Sequence, residues 1–187
     1  AAATRVNAAG LIEKYRENKL LQSNQFGTTW VNTNTTETSG QSGYDETNNA
    51  WLLSKSADFG RITQSVTNSG VQTFSVYAKA GSLNYMRLRV LGSFNAGCFF
   101  DFTDGSVPNN DSFAASMESV GGGWYRCSYT FISNITEVQI FPANSGSSVS
   151  GGSGSIYIQN AQAESGLVAT DYLNSGATTA KAGVLVD

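Results

Sequence analysis

The alternation of apolar and polar side chains between Val71 and Val90 constrains the fold of this chain more than any other feature. Apolar residues occupy every second position in residues 73–79 (TFSVYAK) and again in residues 85–90 (YMRLRV). A period of two is typical of a β-strand that buries only one face. The pattern therefore predicts two strands, joined by the turn Ala80-Gly81-Ser82, that each give one face to an apolar core.

The rest of the chain repeats this organisation with closely spaced turns. Trp124 to Ile132 (WYRCSYTFI) is the most strand-like run, and residues 155–163 (SIYIQNAQA) form the last one. Charged residues make up only 13% of the chain, and 20 glycines against 2 prolines suit a protein with many turns. We predict an all-β fold, an antiparallel two-sheet β-sandwich of the jelly-roll type.

Composition also suggests where this domain begins and ends. We predict that residues 1–18 are a leader or linker, that residues 19–166 form the sandwich, and that residues 167–187 are a C-terminal extension. Residues 144–154 (NSGSSVSGGSG) are predicted to be an exposed loop within the domain. Because the first residue is not Met, we expect the chain to be part of a longer polypeptide.

Several functional classes are disfavoured by what the sequence lacks. Histidine is absent, which removes Ser-His-Asp and Cys-His catalysis and the usual nitrogen-ligated zinc site. The net charge of −3 gives no general attraction to nucleic acid. No apolar run approaches the ~18 residues needed to span a bilayer. We expect a protein that is not an enzyme, does not bind nucleic acid and does not insert into membranes.

The two cysteines, Cys98 and Cys127, both lie in strand-like runs with apolar neighbours. Free cysteine packs as a small hydrophobic residue, so we predict buried free thiols. A disulfide is the alternative if the two strands face each other at bonding distance.

The polar faces of the predicted strands form a candidate binding surface. If the two strands between Val71 and Val90 are neighbours, the side chains that alternate with their core positions point into solvent together. Sugars stack on aromatic rings and hydrogen-bond to planar polar side chains, and Arg binds carboxylates or sulfates with two parallel bonds. The surface would therefore suit a polysaccharide, including an acidic one. The candidate ligand-binding residues are Tyr77, Lys79, Tyr85, Arg87, Arg89, Asp101, Arg126 and Gln139.

The same residues have a simpler interpretation as a solvated sheet face with cross-strand ion pairs, such as Arg87 with Asp101. Three loop aromatics, Tyr44, Phe59 and Phe94, are candidates for contacts at the rim of a site, with local loop packing as the alternative.

Two ends of the predicted domain resemble jelly-roll carbohydrate-binding modules. Residues 18–26 (NKLLQSNQF), followed by Trp30, resemble the opening segment of those modules, and residues 155–164 (SIYIQNAQAE) resemble their closing strand. The intervening motifs FSVYAKAG, FFDFTDGSV and GGGWYRCSYTF, with GLVATDY after them, are similar to a domain found repeatedly in bacteriophage tail-fibre and other virion proteins.

The resemblance implies a lectin-like, non-catalytic domain that binds a polysaccharide or cell-surface glycan, in a virion tail fibre or an extracellular protein. It also allows a homotrimer in the parent fibre. The alternative is a structural or oligomerisation domain of such a fibre that binds no sugar.

Modules of this type often hold a structural Ca²⁺ near their first and last strands, so the resemblance implies Glu164 and Asn24 as candidate ligands. Gly27 stands where an acid is common, and Gln159-Asn160 replaces a pair of acids. Fewer carboxylates mean weaker calcium binding. The alternative is a loop held by ordinary hydrogen bonds, without a metal or other cofactor.

Overall fold

A computed structural model describes residues 4–6, 12–14, 16–111 and 113–182, and every regular element in these ranges is a β-strand. The strands are β1 (Thr4–Val6), β2 (Ile12–Lys14), β3 (Arg16–Asn18), β4 (Val31–Thr33), β5 (Thr35–Gln41), β6 (Ala50–Lys55), β7 (Arg61–Asn68), β8 (Val71–Ala80), β9 (Tyr85–Gly92), β10 (Ala96–Asp101), β11 (Ser106–Asn110), β12 (Ala114–Gly121), β13 (Trp124–Ile132), β14 (Ile135–Ala143), β15 (Gly154–Ser165) and β16 (Ala180–Ala182). Within the same ranges there is no helix long and apolar enough to cross a membrane.

Two six-stranded sheets make up the sandwich. The β9 sheet has the order β11-β10-β9-β14-β7-β4, and the β8 sheet has the order β12-β13-β8-β15-β6-β5. Neighbouring strands are antiparallel in both sheets. Two short pairs, β1-β2 and β3-β16, lie outside these sheets. The predicted all-β, two-sheet jelly-roll sandwich is confirmed.

The core lies between the sheets and follows the predicted alternation. Val76 on β8 and Leu88 on β9 are fully buried, as are the other apolar positions of the same two strand faces. Burying such side chains removes apolar surface from water, which is the main favourable contribution to folding. Leu20, Phe26 and Trp30, from the segment between β3 and β4, close one part of this core.

The expectation that β8 and β9 are neighbours is wrong. β8 pairs with β13 and β15, whereas β9 pairs with β10 and β14 in the other sheet. The connection at residues 81–84 carries the chain from one sheet to the other, so the apolar faces of β8 and β9 meet across the core. Their polar faces consequently point to opposite sides of the sandwich.

Cys98 on β10 and Cys127 on β13 are free and fully buried, which confirms the predicted free thiols. Both belong to the core cluster between the two sheets. Burial raises the pKa of each thiol well above its ordinary value, because the thiolate would be desolvated.

The chain after β15 is tied to the sandwich by buried polar contacts. Ser175 donates from its hydroxyl to the Leu20 carbonyl (2.6 Å) and from its backbone amide to the Ser23 hydroxyl (3.0 Å). Asn18 donates to the Leu173 carbonyl (2.9 Å), and β16 pairs with β3. These contacts fasten residues 173–175 and β16 to the segment of residues 16–23.

Candidate functional site

Aromatic side chains are concentrated on the outer face of the β8 sheet. Tyr77 and Trp124 are buried there, and Tyr44, Tyr157 and Tyr172 pack against them. The rings of Tyr44 and Tyr77 stack with 3.9 Å between their centroids. This outer cluster is separate from the core between the sheets.

A pocket of about 600 Å³ opens beside this cluster. Its lining consists of amide, carboxylate and phenol side chains. The lining residues are Asn24, Asn49, Asn160, Asn174, Gln25, Gln159, Asp45, Asp171, Tyr44, Tyr77 and Tyr172. Among the described residues, no lysine, arginine or aliphatic side chain lines it. The pocket is therefore rich in hydrogen-bonding groups and aromatic rings, and its formal charges are negative.

A bulge in β15 places two consecutive amides in the pocket. Successive residues of a regular strand face opposite sides of a sheet. Here the pairing of β15 with β8 shifts register between Gln159 and Gln162, and Asn160 adopts a left-handed backbone with φ of 54°. The bulge lets both Gln159 and Asn160 line the pocket, while Ala161 returns to the core. An extra residue that redirects side chains is the usual effect of a β-bulge.

Gln159 and Asp45 are bonded to each other in the lining of the pocket. The Gln159 amide donates to both carboxylate oxygens of Asp45, at 3.1 Å each, and accepts from the Tyr44 backbone amide at 3.1 Å. Burial acts to raise the pKa of Asp45, but hydrogen bonds from Thr47 and Gln159 outweigh it and lower the pKa below its ordinary value. Asp45 is therefore ionised at neutral pH. A Cβ at Gly43 would collide with the Gln159 side chain, so the absence of a side chain at Gly43 lets the loop backbone lie close to Gln159.

A second hydrogen-bond network fixes Asn160 and Asn24. The Asn160 backbone amide donates to the Asn24 side-chain oxygen (2.9 Å), and the Asn160 side chain donates to the Tyr44 hydroxyl (3.0 Å). Asn24 donates in turn to the Asn49 carbonyl (3.0 Å) and accepts from the Trp51 indole at its backbone oxygen (3.1 Å). These bonds hold the segment around Asn24, the loop that carries Tyr44 and Asn49, and the bulge of β15 in place without a ligand.

The segment after β15 supplies one wall of the pocket and is anchored by Glu164. The carboxylate of Glu164 accepts from the backbone amide of Thr170 (2.9 Å), the Thr170 hydroxyl (2.6 Å) and the Gln162 side chain (2.7 Å). Further along, the Tyr172 hydroxyl bonds to Ser23 at 2.7 Å. Burial raises the pKa of Tyr172 to about 12, so its hydroxyl stays protonated.

The structure divides the eight predicted ligand-binding residues between two opposite faces. Tyr77, Lys79 and Arg126 lie on the outer face of the β8 sheet, and Tyr85, Arg87, Arg89, Asp101 and Gln139 lie on the outer face of the β9 sheet. Tyr77 lines the 600 Å³ pocket. Lys79 lines a smaller neighbouring pocket with Tyr157, and the Arg126 guanidinium lies 5.4 Å from the Tyr77 ring centroid.

On the β9 sheet, arginines lie over buried aromatic rings. The Arg87 guanidinium is 5.0 Å from the centroid of Phe99, and Arg89 donates to the Gln139 side chain at 3.5 Å. Arg87 pairs with Asp111 (3.6 Å), not with Asp101 as expected. On this face, arginine covers an apolar ring and pairs with a neighbouring carboxylate.

The side chains of Glu164 and Asn24, the predicted Ca²⁺ ligands, take part in hydrogen bonds within the protein. The Glu164 carboxylate and the Asn24 side-chain oxygen accept from N–H and O–H donors. No group of three or more Cys, Asp or Glu residues that could hold a metal occurs in the described ranges. Calcium binding by Glu164 and Asn24 stays a prediction, with a segment held by hydrogen bonds as its alternative.

Sequence reasoning found only part of this pocket. The sequence predicts Tyr44 at the rim of a site and Tyr77 on its face, but its pattern does not identify Asp45, Asn49 or Tyr172. One signal was available for the bulge, because the inward positions of β15 change from even numbers (156 and 158) to odd numbers (161 and 163). That change of phase requires an extra residue near Asn160.

No protein-family model and no curated protein sequence matches this chain. One similar solved structure is the enzymatically active domain of tailspike protein 4 from bacteriophage CBA120, with 18% identity, a TM-score of 0.45, and coverage of 81% of this chain and 21% of that one. Another contains the CBM22-1-GH10 modules of a Clostridium thermocellum endo-1,4-beta-D-xylanase complexed with xylohexaose, with 15% identity, a TM-score of 0.42, and coverage of 79% and 27%.

A third similar structure is the catalytic domain of a GH87 alpha-1,3-glucanase in complex with tetrasaccharides. It is 12% identical with a TM-score of 0.38, and the match covers 82% of this chain and 29% of that one. The chain therefore spans less than a third of the length of each of these three structures.

Proposed function

We propose that this domain is a non-catalytic carbohydrate-binding module whose ligand site is the 600 Å³ pocket on the outer face of the β8 sheet. The observation that carries the proposal is the composition of the pocket lining, which combines six amides, two carboxylates and three tyrosines. A saccharide offers many hydroxyl groups and apolar C–H faces, and this combination of side chains matches both.

The arrangement of the pocket supports binding by preorganisation. Gln159, Asn160 and Asn24 are already fixed by hydrogen bonds to the protein, so a ligand does not have to order them. Their remaining donor and acceptor positions, together with the exposed Asn49 side chain and the side-chain amino group of Asn174, can bond to hydroxyl groups.

Charge favours a neutral saccharide over an acidic one at this pocket. Asp45 and Asp171 line it, and no cationic side chain of the described residues does. An acidic sugar would bring a like charge towards two carboxylates, which is unfavourable. The acidic ligand that the arginines suggested would instead have to bind outside this pocket, beside Arg126 on the same face or over the β9 sheet.

The state of Asp45 supports a non-catalytic role. A glycosidase needs a general acid, which is a carboxyl group with a raised pKa, paired with a second carboxylate. The pKa of Asp45 is lowered, and its carboxylate is occupied by Gln159 and Thr47. The proposal includes a virion or extracellular setting, and only the sequence motifs support that part of it.

Affinity electrophoresis and calorimetry with neutral and acidic polysaccharides test the proposal. We expect retention by at least one neutral polysaccharide, and loss of that retention in the double variant Asn49→Ala/Asn174→Ala. The matched control is Asn109→Ala, which removes an exposed asparagine from β11 in the other sheet. Absence of retention on every neutral glycan, or equal loss in the control, would refute the assignment of the pocket.

A second candidate function is a structural domain that associates with neighbouring subunits. Leu167 and Val168 are 72% and 69% exposed, and both line a shallow pocket beside β12 and β13. Exposed apolar side chains that lie together favour a contact surface. Light scattering of the purified domain would detect a stable trimer, and Leu167→Asp would dissociate it if this surface forms the contact.

A further inference from the structure

Lys55 is a buried amine that the proposed ligand pocket does not use. It is the last residue of β6, and only 2% of its surface is exposed. Its Nζ donates to the side-chain oxygen of Asn144 and, at 2.8 Å, to the carbonyl of Val149. Asn144 directly follows β14, so this contact joins the β8 sheet to the chain leaving the β9 sheet.

Lys55 has no anionic partner in direct contact. Among the described residues, no carboxylate forms an ion pair with it. Burial of an ammonium without a counter-ion is costly, which acts against the charged form. Burial lowers the pKa of Lys55, and the charge of Asp58 only partly opposes that effect. A desolvated neutral lysine is a nucleophile.

The Asn144 carboxamide is held next to this amine and close to a carboxylate. A Cβ built on Gly151 would lie 3.0 Å from the Asn144 Cγ, so the backbone packs directly against the amide carbon. The backbone amide of Gly151 donates to Asp58 Oδ1 at 2.7 Å. Lys55 therefore contacts Asn144 directly, and the exposed Asp58 carboxylate is linked to the same place through Gly151.

We propose that Lys55 and Asn144 form an intramolecular isopeptide bond. The Lys55 Nζ attacks the Asn144 Cγ, and a new C–N bond forms as the bond from Cγ to Nδ2 breaks. One proton passes from Nζ to the departing nitrogen, with Asp58 as the carrier, and ammonia leaves. The reaction consumes no oxidant, reductant or second substrate.

This bond would link residues that lie 89 positions apart in sequence. It would connect the end of β6 with the end of β14 and so fasten the two sheets together covalently. A cross-link that closes a long loop restricts the unfolded chain, which is how it stabilises a fold. The inference is independent of carbohydrate binding, because Lys55, Asn144 and Asp58 do not line the ligand pocket.

Mass spectrometry of the full 187-residue chain tests this proposal directly. After prolonged incubation of the folded protein, we expect the denatured mass to be lower than the sequence mass by one ammonia. Proteolysis should then give one branched species that contains both Lys55 and Asn144. A wild-type chain at its full sequence mass, with the two peptides recovered separately, would overturn the proposal.

Control variants separate the cross-link from other losses of ammonia. Lys55→Met and Asn144→Ala should both retain their full mass. Cyclisation of Asn144 with its own backbone also releases ammonia, but it would persist in Lys55→Met, and that result would overturn the cross-link. Asp58→Ala should slow the mass loss, and an unchanged rate would remove Asp58 from the proton transfer.

Discussion

The ring of Tyr44 lies almost parallel to the ring of Tyr77, with 3.9 Å between centroids and 8° between planes. Tyr77 belongs to β8, whereas Tyr44 comes from the loop between β5 and β6. The stack therefore fixes that loop on the outer face of the β8 sheet. Because Tyr44 also accepts a hydrogen bond from Asn160, the stack sets one wall of the proposed ligand pocket.

Replacing Tyr44 with alanine should weaken ligand binding more than stability. We expect affinity for a retained saccharide to fall about tenfold, because an aromatic pair contributes about 1 kcal/mol and its loss also frees Asn160. Calorimetric titration measures this change. Phe59→Ala removes another loop aromatic, which is 54% exposed and lies outside the pocket, and it should bind normally. Equal affinity of both variants would contradict the assigned role of Tyr44.

Replacing Glu164 with alanine should release the wall that follows β15. Three donors from Gln162 and Thr170 would lose their buried acceptor, at a cost of about 2–4 kcal/mol in the free energy of unfolding. Limited proteolysis should then cut within residues 167–175, and saccharide affinity should fall because Tyr172 and Asn174 line the pocket. Resistance to proteolysis equal to wild type would show that Glu164 does not anchor this segment.

The lowered pKa of Asp45 predicts how the stability of the fold changes at acidic pH. A carboxyl group whose pKa is lower in the folded state than in the unfolded state stabilises the fold above its unfolded pKa, and that contribution is lost as pH falls through the folded pKa. The ordinary value is 3.8, so the contribution should be constant from neutral pH to about pH 5 and should fall below about pH 4.

Denaturant unfolding of wild type and Asp45→Asn across this pH range measures the contribution. The stability difference between the two proteins should shrink only in acid. A difference that stays constant down to about pH 2 would mean that the carboxylate charge contributes nothing.

Leu88 tests the packing between the sheets. Leu88→Ala should lower the free energy of unfolding by about 3 kcal/mol, since the fully buried side chain leaves a cavity. Ile132→Ala is the control, because removing an aliphatic side chain that is 64% exposed should change stability by less than about 0.5 kcal/mol. Chemical denaturation of the two variants gives the comparison, and similar losses would place Leu88 outside the core.

The bulge in β15 shows what a sequence pattern predicts and what it leaves open. The apolar residues Ile156 and Ile158, and then Ala161 and Ala163, identify the inward positions and reveal that the phase changes between them. They do not reveal that Asn160 takes a left-handed backbone or that Tyr44 and Asn24 bond to it. Those partners are more than a hundred residues away in sequence, and local pattern carries no information about such pairs.

The sequence by itself determined long strands such as β8, β9 and β13, the side of each that is buried, and the all-β sandwich, because burial of alternate side chains is a local property. Only the tertiary structure decided that β8 and β9 belong to different sheets, which separated Tyr77 from Tyr85 and Arg87. The physical reason is that alternation fixes the inward face of a strand, whereas its neighbours depend on contacts between distant segments. The same dependence placed Asp45, Gln159 and Tyr172 around one pocket.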